Sequence, residues 1–77
     1  MKNEEAYKRL CYYFDNNKKV HIGTNLKLKD GNYIFYNGYI IFLKDDHLWM
    51  HDYVVGDIMI KYEDIYLISE YEEKEDE

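Results

Sequence analysis

The side chains best suited to chemistry in this chain are His47 and His51 with the carboxylates Asp45, Asp46 and Asp52 around them, the lone thiol of Cys11, and the hydroxyls of Thr24 and Ser69. In an extended strand His47 and His51 share a face but stand about 13 Å apart at the usual rise, too far to hold one ion. His47 with Asp45, or His51 with Asp52, would each need further donors from another subunit, so no metal site is expected. A single cysteine excludes both an intramolecular disulfide and a cysteine-based zinc site. Cys11 falls on the apolar stripe of a helix, where a thiol behaves as a small hydrophobe. Neither Thr24 nor Ser69 has a nucleophile motif around it, and Asp45-Asp46 and Glu63-Asp64 sit in turns, where carboxylates are solvated. Gly23, Gly31, Gly38 and Gly56 are scattered, so no loop could cradle a phosphate. These residues point away from an enzyme: no catalytic residues, no cofactor and no small-molecule substrate are expected.

The elements that position them are organised around Leu26 to Asp52, which reads as strand, tight turn, long bent strand, tight turn, strand. Val20, Ile22, Leu26 and Leu28 alternate with His21, Asn25, Lys27 and Lys29, and Thr24 fills the remaining inward slot, the period of a half-buried strand. Asp30-Gly31-Asn32 supplies residues that tolerate positive φ for a hairpin. Tyr33 to Lys44 is too long and apolar to be flat, and Asn37-Gly38 is where it bends at least cost, so that one strand can serve two sheets. After the Lys44-Asp45-Asp46 turn, His47 to His51 alternates again, with Leu48 and Met50 on one face and Trp49 between the histidines on the other. Asp52 to Asp57 is a further turn, unusually apolar at Tyr53-Val54-Val55, residues that a neighbouring subunit would bury. Ile58 to Lys61 and Ile65 to Ser69 complete five strands around the very short turn Tyr62-Glu63-Asp64.

Ahead of the strands, Asn3 is an N-cap candidate, Glu4 and Glu5 suit a first helical turn, and the pairs Glu4 with Lys8 and Glu5 with Arg9 have i,i+4 spacing. A helix from about Glu4 to Phe14 follows, stopped by Asp15-Asn16-Asn17. Its stripe of Ala6, Tyr7, Leu10, Cys11, Tyr13 and Phe14 would lie on one open face of the strands as a lid. The polar face is not strongly basic, which argues against a membrane-surface helix.

At 77 residues the chain makes one domain that buries about 60% of its unfolded surface. Such a core supplies roughly 3–5 kcal/mol, which favours oligomerisation. The net charge of −6 is uneven: residues 70 to 77 carry −5, leaving −1 for residues 1 to 69. Residues 1 to 69 therefore read as the folded domain and 70 to 77 as an acidic, disordered tail. No run of membrane length and no signal peptide is present, so the expected location is the cytoplasm, or a host's cytoplasm if the gene is viral. The richness in Asn, Lys, Ile and Tyr without proline suits an AT-rich viral, phage or microbial genome. Ten tyrosines, three of them at Tyr33, Tyr36 and Tyr39, suit half-buried strand faces and protein interfaces.

A helix followed by a five-stranded, strongly bent antiparallel barrel resembles the Sm and Hfq-like proteins, a class within the wider set of SH3-like barrels. Val20, Ile22, Leu26, Leu28, Asp30-Gly31, Gly38, Asp46, Leu48, Met50 and Asp52 are similar to that family's first motif, and Ile60-Lys61-Tyr62-Glu63-Asp64-Ile65 to its second. The similarity runs from about Val20 to Ile68. Gly31 and Gly38 are about two residues farther apart than is usual there. No asparagine follows the aspartate turn, and Tyr62 stands where the second motif has glycine, so the family's uridine pocket is not carried over.

The resemblance implies a homo-oligomeric ring of about five to seven subunits, with Ile58, Met59 and Ile60 on one side of the seam and Ile65, Tyr66, Leu67 and Ile68 on the other. An open sheet with two unpaired edges, neither holding a proline or an interior lysine, points the same way. The resemblance also implies weak or selective binding of single-stranded RNA, with His47, Trp49, Lys61 and Tyr62 as the residues for stacking and clamping. The other reading is an SH3-like or Sm-like module, ring or monomer, that serves structure or protein interaction and has no nucleic-acid role. The missing asparagine and the excess of acids over bases favour it.

Overall fold

The structure is a computed structural model that describes residues 4–72. It is mainly β: helix α1 (Glu4–Asp15) precedes strands β1 (Val20–Lys27), β2 (Tyr33–Leu43), β3 (His47–Asp52), β4 (Gly56–Lys61) and β5 (Ile65–Glu70), with a single 3-10 turn at Tyr62–Asp64. The five strands make one bent antiparallel sheet in the order β4-β3-β2-β1-β5. The helix and five strands therefore stand as the sequence predicts, while Asn3 lies outside the described residues.

The bend follows from how β2 is shared. Its first half, to Gly38, pairs with β1, and its second half, from Gly38, pairs with β3. Gly38 is opposite Val20 on one side and Asp52 on the other, and a Cβ there would lie 1.8 Å from the His51 carbonyl oxygen. Only a residue without a side chain lets the two ladders meet at that point. The bend thus falls at Asn37-Gly38 as the sequence predicts, and a separate register irregularity follows between Ile40 and Phe42.

One face of the sheet holds Val20, Ile22, Ile40, Leu48, Met50, Ile60, Ile65 and Ile68, closed over by Leu10 and Tyr13 of α1. Thr24 completes the inward row of β1, its hydroxyl donating to the Ile34 carbonyl at 2.7 Å. Leu26 and Leu28 do not continue that row: they are 45% and 52% exposed. Pairing of β1 with β5 ends at Thr24, and the β1–β2 register shifts beyond Gly23, so the hairpin tip runs past the sheet with nothing to cover it. At that tip Gly31 has φ of 91° and the Asp30 carboxylate accepts from the Asn32 N–H at 2.9 Å.

The helix packs on β2 and β5 as the expected lid, but its buried stripe is narrower than predicted. Leu10 and Tyr13 are buried and Ala6 half-buried, whereas Tyr7 and Phe14 lie at the margin, exposed. Asn17, at φ of 50°, ends it: the Lys18 N–H donates to the Tyr13 carbonyl at 2.9 Å and the Asn17 N–H to the Phe14 carbonyl at 3.3 Å. Strand β5 runs one residue past the predicted end at Ser69. Glu70 ends β5, and Tyr71 packs on Tyr53 with its N–H on the Lys19 carbonyl. Residues 73–77 of the acidic segment lie outside the described residues.

Candidate functional site

Alternation in β3 turns Leu48 and Met50 into the core and His47, Trp49 and His51 outward. The ladder then sets Trp49 between Phe42 on β2 and Met59 on β4, and His47 opposite Lys61. The Phe42 and Trp49 rings are 6.3 Å apart and tilted by 47°, and the Lys44 ammonium lies 5.0 Å from the Phe42 ring centroid. An aromatic pair is thus flanked by Lys44, Lys61 and His47 on one outward patch at the β2–β3 turn. Stacking on the rings and ion pairing to the lysines is what such a patch offers a single-stranded nucleic acid. His47 is already engaged: its Nδ1 is 2.6 Å from Asp46 Oδ1, and that contact holds the Asp46 carboxyl below the usual range.

Of the four residues the sequence nominates for RNA, three share this patch and Tyr62 does not. Tyr62 is 9% exposed in the core, its hydroxyl donating to the Lys44 carbonyl at 2.5 Å and its ring edge-on to Tyr7. Its N–H also donates to the Asp46 carbonyl at 3.1 Å. It thereby braces the β2–β3 turn from beneath and acts on the patch only by positioning it. Burial pushes the Tyr62 hydroxyl up to about 12. Between pH 10 and 12 the unfolded chain loses this proton first, so the wild type should lose about 2–3 kcal/mol across that window through this group. Alkaline unfolding curves of Tyr62→Phe should lack that component, at a cost near neutrality of about 1 kcal/mol for the lost hydrogen bond. Identical alkaline slopes in the two proteins would refute the assignment.

Phe42 and Lys44 were not among the nominated residues. The irregularity after Ile40 changes the parity of β2, so Phe42 joins the face of Trp49 rather than following the alternation from Tyr36. Aromatic identity within two residues of a turn was the available signal.

The seam residues divide by face. Ile60, Ile65 and Ile68 are buried in the core and Ile58 packs against it, whereas Met59, Tyr66 and Leu67 are exposed, Tyr66 at 82%. Those three, on the two marginal strands, are the side chains a neighbour could reach. Although the strands themselves hold no proline or interior lysine, the helix supplies a guard: Arg9 Nη2 donates to the Ile68 carbonyl on β5 at 2.5 Å. Val54 and Val55, at the β3–β4 turn, stand exposed, Val54 at 90%.

For metals, His47 pairs with Asp46 rather than Asp45, and His51 Nδ1 is 2.8 Å from Asp57, not Asp52. Asp52 points inward, where burial opposes ionisation but N–H groups of Val55, Asn37 and Val54, with His51 nearby, hold its carboxyl below the usual range. Among the described residues no group of three His, Cys, Asp or Glu side chains could hold an ion. No helix among them is long and apolar enough to cross a membrane. Comparison of the chain with protein-family models, with curated proteins and with solved structures finds no match.

Proposed function

We propose that this chain is a non-enzymatic, Sm-like binding protein of the cytoplasm that joins copies of itself edge to edge in a ring of about five to seven subunits and binds single-stranded RNA on the Phe42–Trp49 patch. The observation that carries the reading is the strand order, which leaves β4 and β5 as the two margins of one sheet with Met59, Tyr66 and Leu67 exposed along them. An edge of this kind invites a strand from another copy, and β4 of one subunit against β5 of the next would cover the exposed Met59, Tyr66 and Leu67. The arriving strand would compete with Arg9 at Ile68. The RNA part rests on the aromatic pair with its two lysines.

A second reading, a structural or protein-interaction module without RNA, is favoured by Asp45 and Asp46, which stand exposed beside the same patch. Light scattering after size exclusion, alone and with short uridine-rich and adenine-rich RNAs at moderate salt, separates the two. The expected result is a ring that shifts with RNA, with Trp49→Ala and Lys61→Ala each weakening binding by about 1–3 kcal/mol while assembly is kept. A ring indifferent to RNA supports the second reading, and a monomer at micromolar concentration refutes the assembly.

A further inference from the structure

The outer face of the sheet holds a cavity that the proposed function does not use, and it forms where both ladders of β1 lose register at one point. Gly23 pairs with Phe35 on β2 and with Leu67 on β5; beyond it Thr24, Asn25 and Leu26 face Ile34 alone, and Tyr66 is passed over between Leu67 and Ile65. The Thr24 hydroxyl holds this double bulge, donating to the Ile34 carbonyl at 2.7 Å and accepting from the Leu26 N–H at 3.3 Å. Gly23 interrupts the outward row of side chains on β1, and a cavity of about 390 Å3 is lined by Gly23 with His21, Tyr33, Phe35, Tyr66 and Leu67 around it. The last four are exposed, Phe35 at 59%. The His21 ring is 5.3 Å from that of Phe35, and its Nδ1 is 2.5 Å from Asn37 Oδ1. An amide oxygen only accepts, so Nδ1 carries the proton and the neutral ring has Nε2 as an acceptor. Among the described residues no Lys, Arg, Asp or Glu lines the cavity; the Lys27 ammonium lies 5.1 Å from the Tyr33 ring centroid, outside the lining.

We propose that this cavity is a binding site for a small, uncharged heteroaromatic molecule, a flat ring system lying on the Gly23 backbone with its N–H donating to His21 Nε2. The volume falls within the range of small-molecule sites, about 300–1,000 Å3, which are mostly apolar with a few polar groups that fix orientation. A strand residue without a side chain lets another group approach the backbone closely, and a flat ring is the shape that enters between the Phe35 and Leu67 positions flanking it. Phe35, Tyr33 and Tyr66 offer such a ring offset-stacked or edge-on contact. An ionised ligand would leave water for a lining that holds no opposite charge to compensate it. Tyr66 and Leu67 also belong to the margin proposed for the ring of subunits, whereas Gly23, Tyr33 and Phe35 do not.

The test is a chemical-shift titration of the full chain with indole, N-methylindole, indoleacetate and N-acetyltryptophanamide, with light scattering to record assembly in each sample. Saturable shifts at His21, Gly23, Tyr33 and Phe35 are expected with indole at a Kd of roughly 0.1–1 mM. N-methylindole, which cannot donate, and the charged indoleacetate should each bind about fivefold or more weakly. Gly23→Ala should weaken indole about threefold and Gly23→Val about tenfold, as a side chain grows into the floor, and Phe35→Leu about tenfold, each with a backbone spectrum that reports the fold. Trp49→Ala should leave indole unchanged. A chain that stays monomeric or ignores RNA and still binds indole in this way keeps the site and loses only the ring or the RNA patch. Lack of saturable shifts up to roughly 10 mM would overturn the site, whatever the assembly state. So would unchanged affinity in both Gly23→Ala and Phe35→Leu, or N-methylindole or indoleacetate binding as tightly as indole. Tighter binding of N-acetyltryptophanamide would also overturn it, because the occupant would then be a side chain of another protein.

Discussion

Replacing Gly38 with alanine should leave the chain largely unfolded at ambient temperature. The new methyl would sit 1.8 Å from the His51 carbonyl oxygen, 2.8 Å from its carbonyl carbon and 3.1 Å from the Asp52 Cα, all backbone. No rotamer change can relieve contacts with backbone, so β2 and β3 must separate where their ladder begins. Overpacking ordinarily costs about 1–3 kcal/mol, and a clash this deep belongs beyond that range. A domain of this size has roughly 3–5 kcal/mol to lose. Thermal melts by circular dichroism should show a drop of about 15 °C or more, or no transition at all. Gly23→Ala is the control: its methyl would meet only the Leu67 side chain, at 3.3 Å, and should cost about 1 kcal/mol or less. A Gly38→Ala protein melting within a few degrees of wild type would show that β2 bends elsewhere.

The consequence reaches the Phe42–Trp49 patch. Gly38 joins the ladder that carries Phe42 and Trp49 to the one that carries Val20 and Ile22, so the patch depends on the bend. Loss of RNA binding in a Gly38 variant would therefore report folding and not contact with a ligand. Substitution at Trp49, outward from the core, is the one that separates binding from stability.

How far the sequence could show this depends on which interaction decides each residue. Period-two alternation located β1 and β3 correctly, because a buried face imposes it. It failed at Leu26 and Leu28, since alternation persists in a hairpin tip after the partner strand has ended. It also missed Phe42, because one register irregularity reverses the facing of every later side chain. Tyr62, placed in a turn, reads from the sequence as an RNA-contact candidate, and its inward orientation depends on the Lys44 carbonyl and Tyr7, partners distant in sequence. Arg9 on Ile68 and Tyr71 on Tyr53 are likewise long-range contacts that no local pattern encodes.

Asp52 should be the most costly polar residue to remove. Its carboxylate accepts from the Asn37 N–H at 2.8 Å and from the Val54 and Val55 N–H groups at 2.9 Å each. It thus ties the bend in β2 to the β3–β4 turn, and Asn37 in turn holds His21, Oδ1 to Nδ1, at 2.5 Å. Hydrogen bonds to a charged acceptor contribute about 1.5–3 kcal/mol apiece and are not additive in one cluster, so Asp52→Ala should cost about 2–4 kcal/mol. Because the folded carboxyl lies below its ordinary value, the unfolded chain takes up a proton first as the pH falls. The contribution of Asp52 is therefore complete above about pH 4, the unfolded value, and is lost as the pH drops through the folded one. Urea melts of wild type and Asp52→Asn from neutral pH into acid should converge as that window is crossed, since the amide cannot titrate. Parallel curves would mean that the acid sensitivity resides in other carboxylates, and that the turn at Val54-Val55 is held without Asp52.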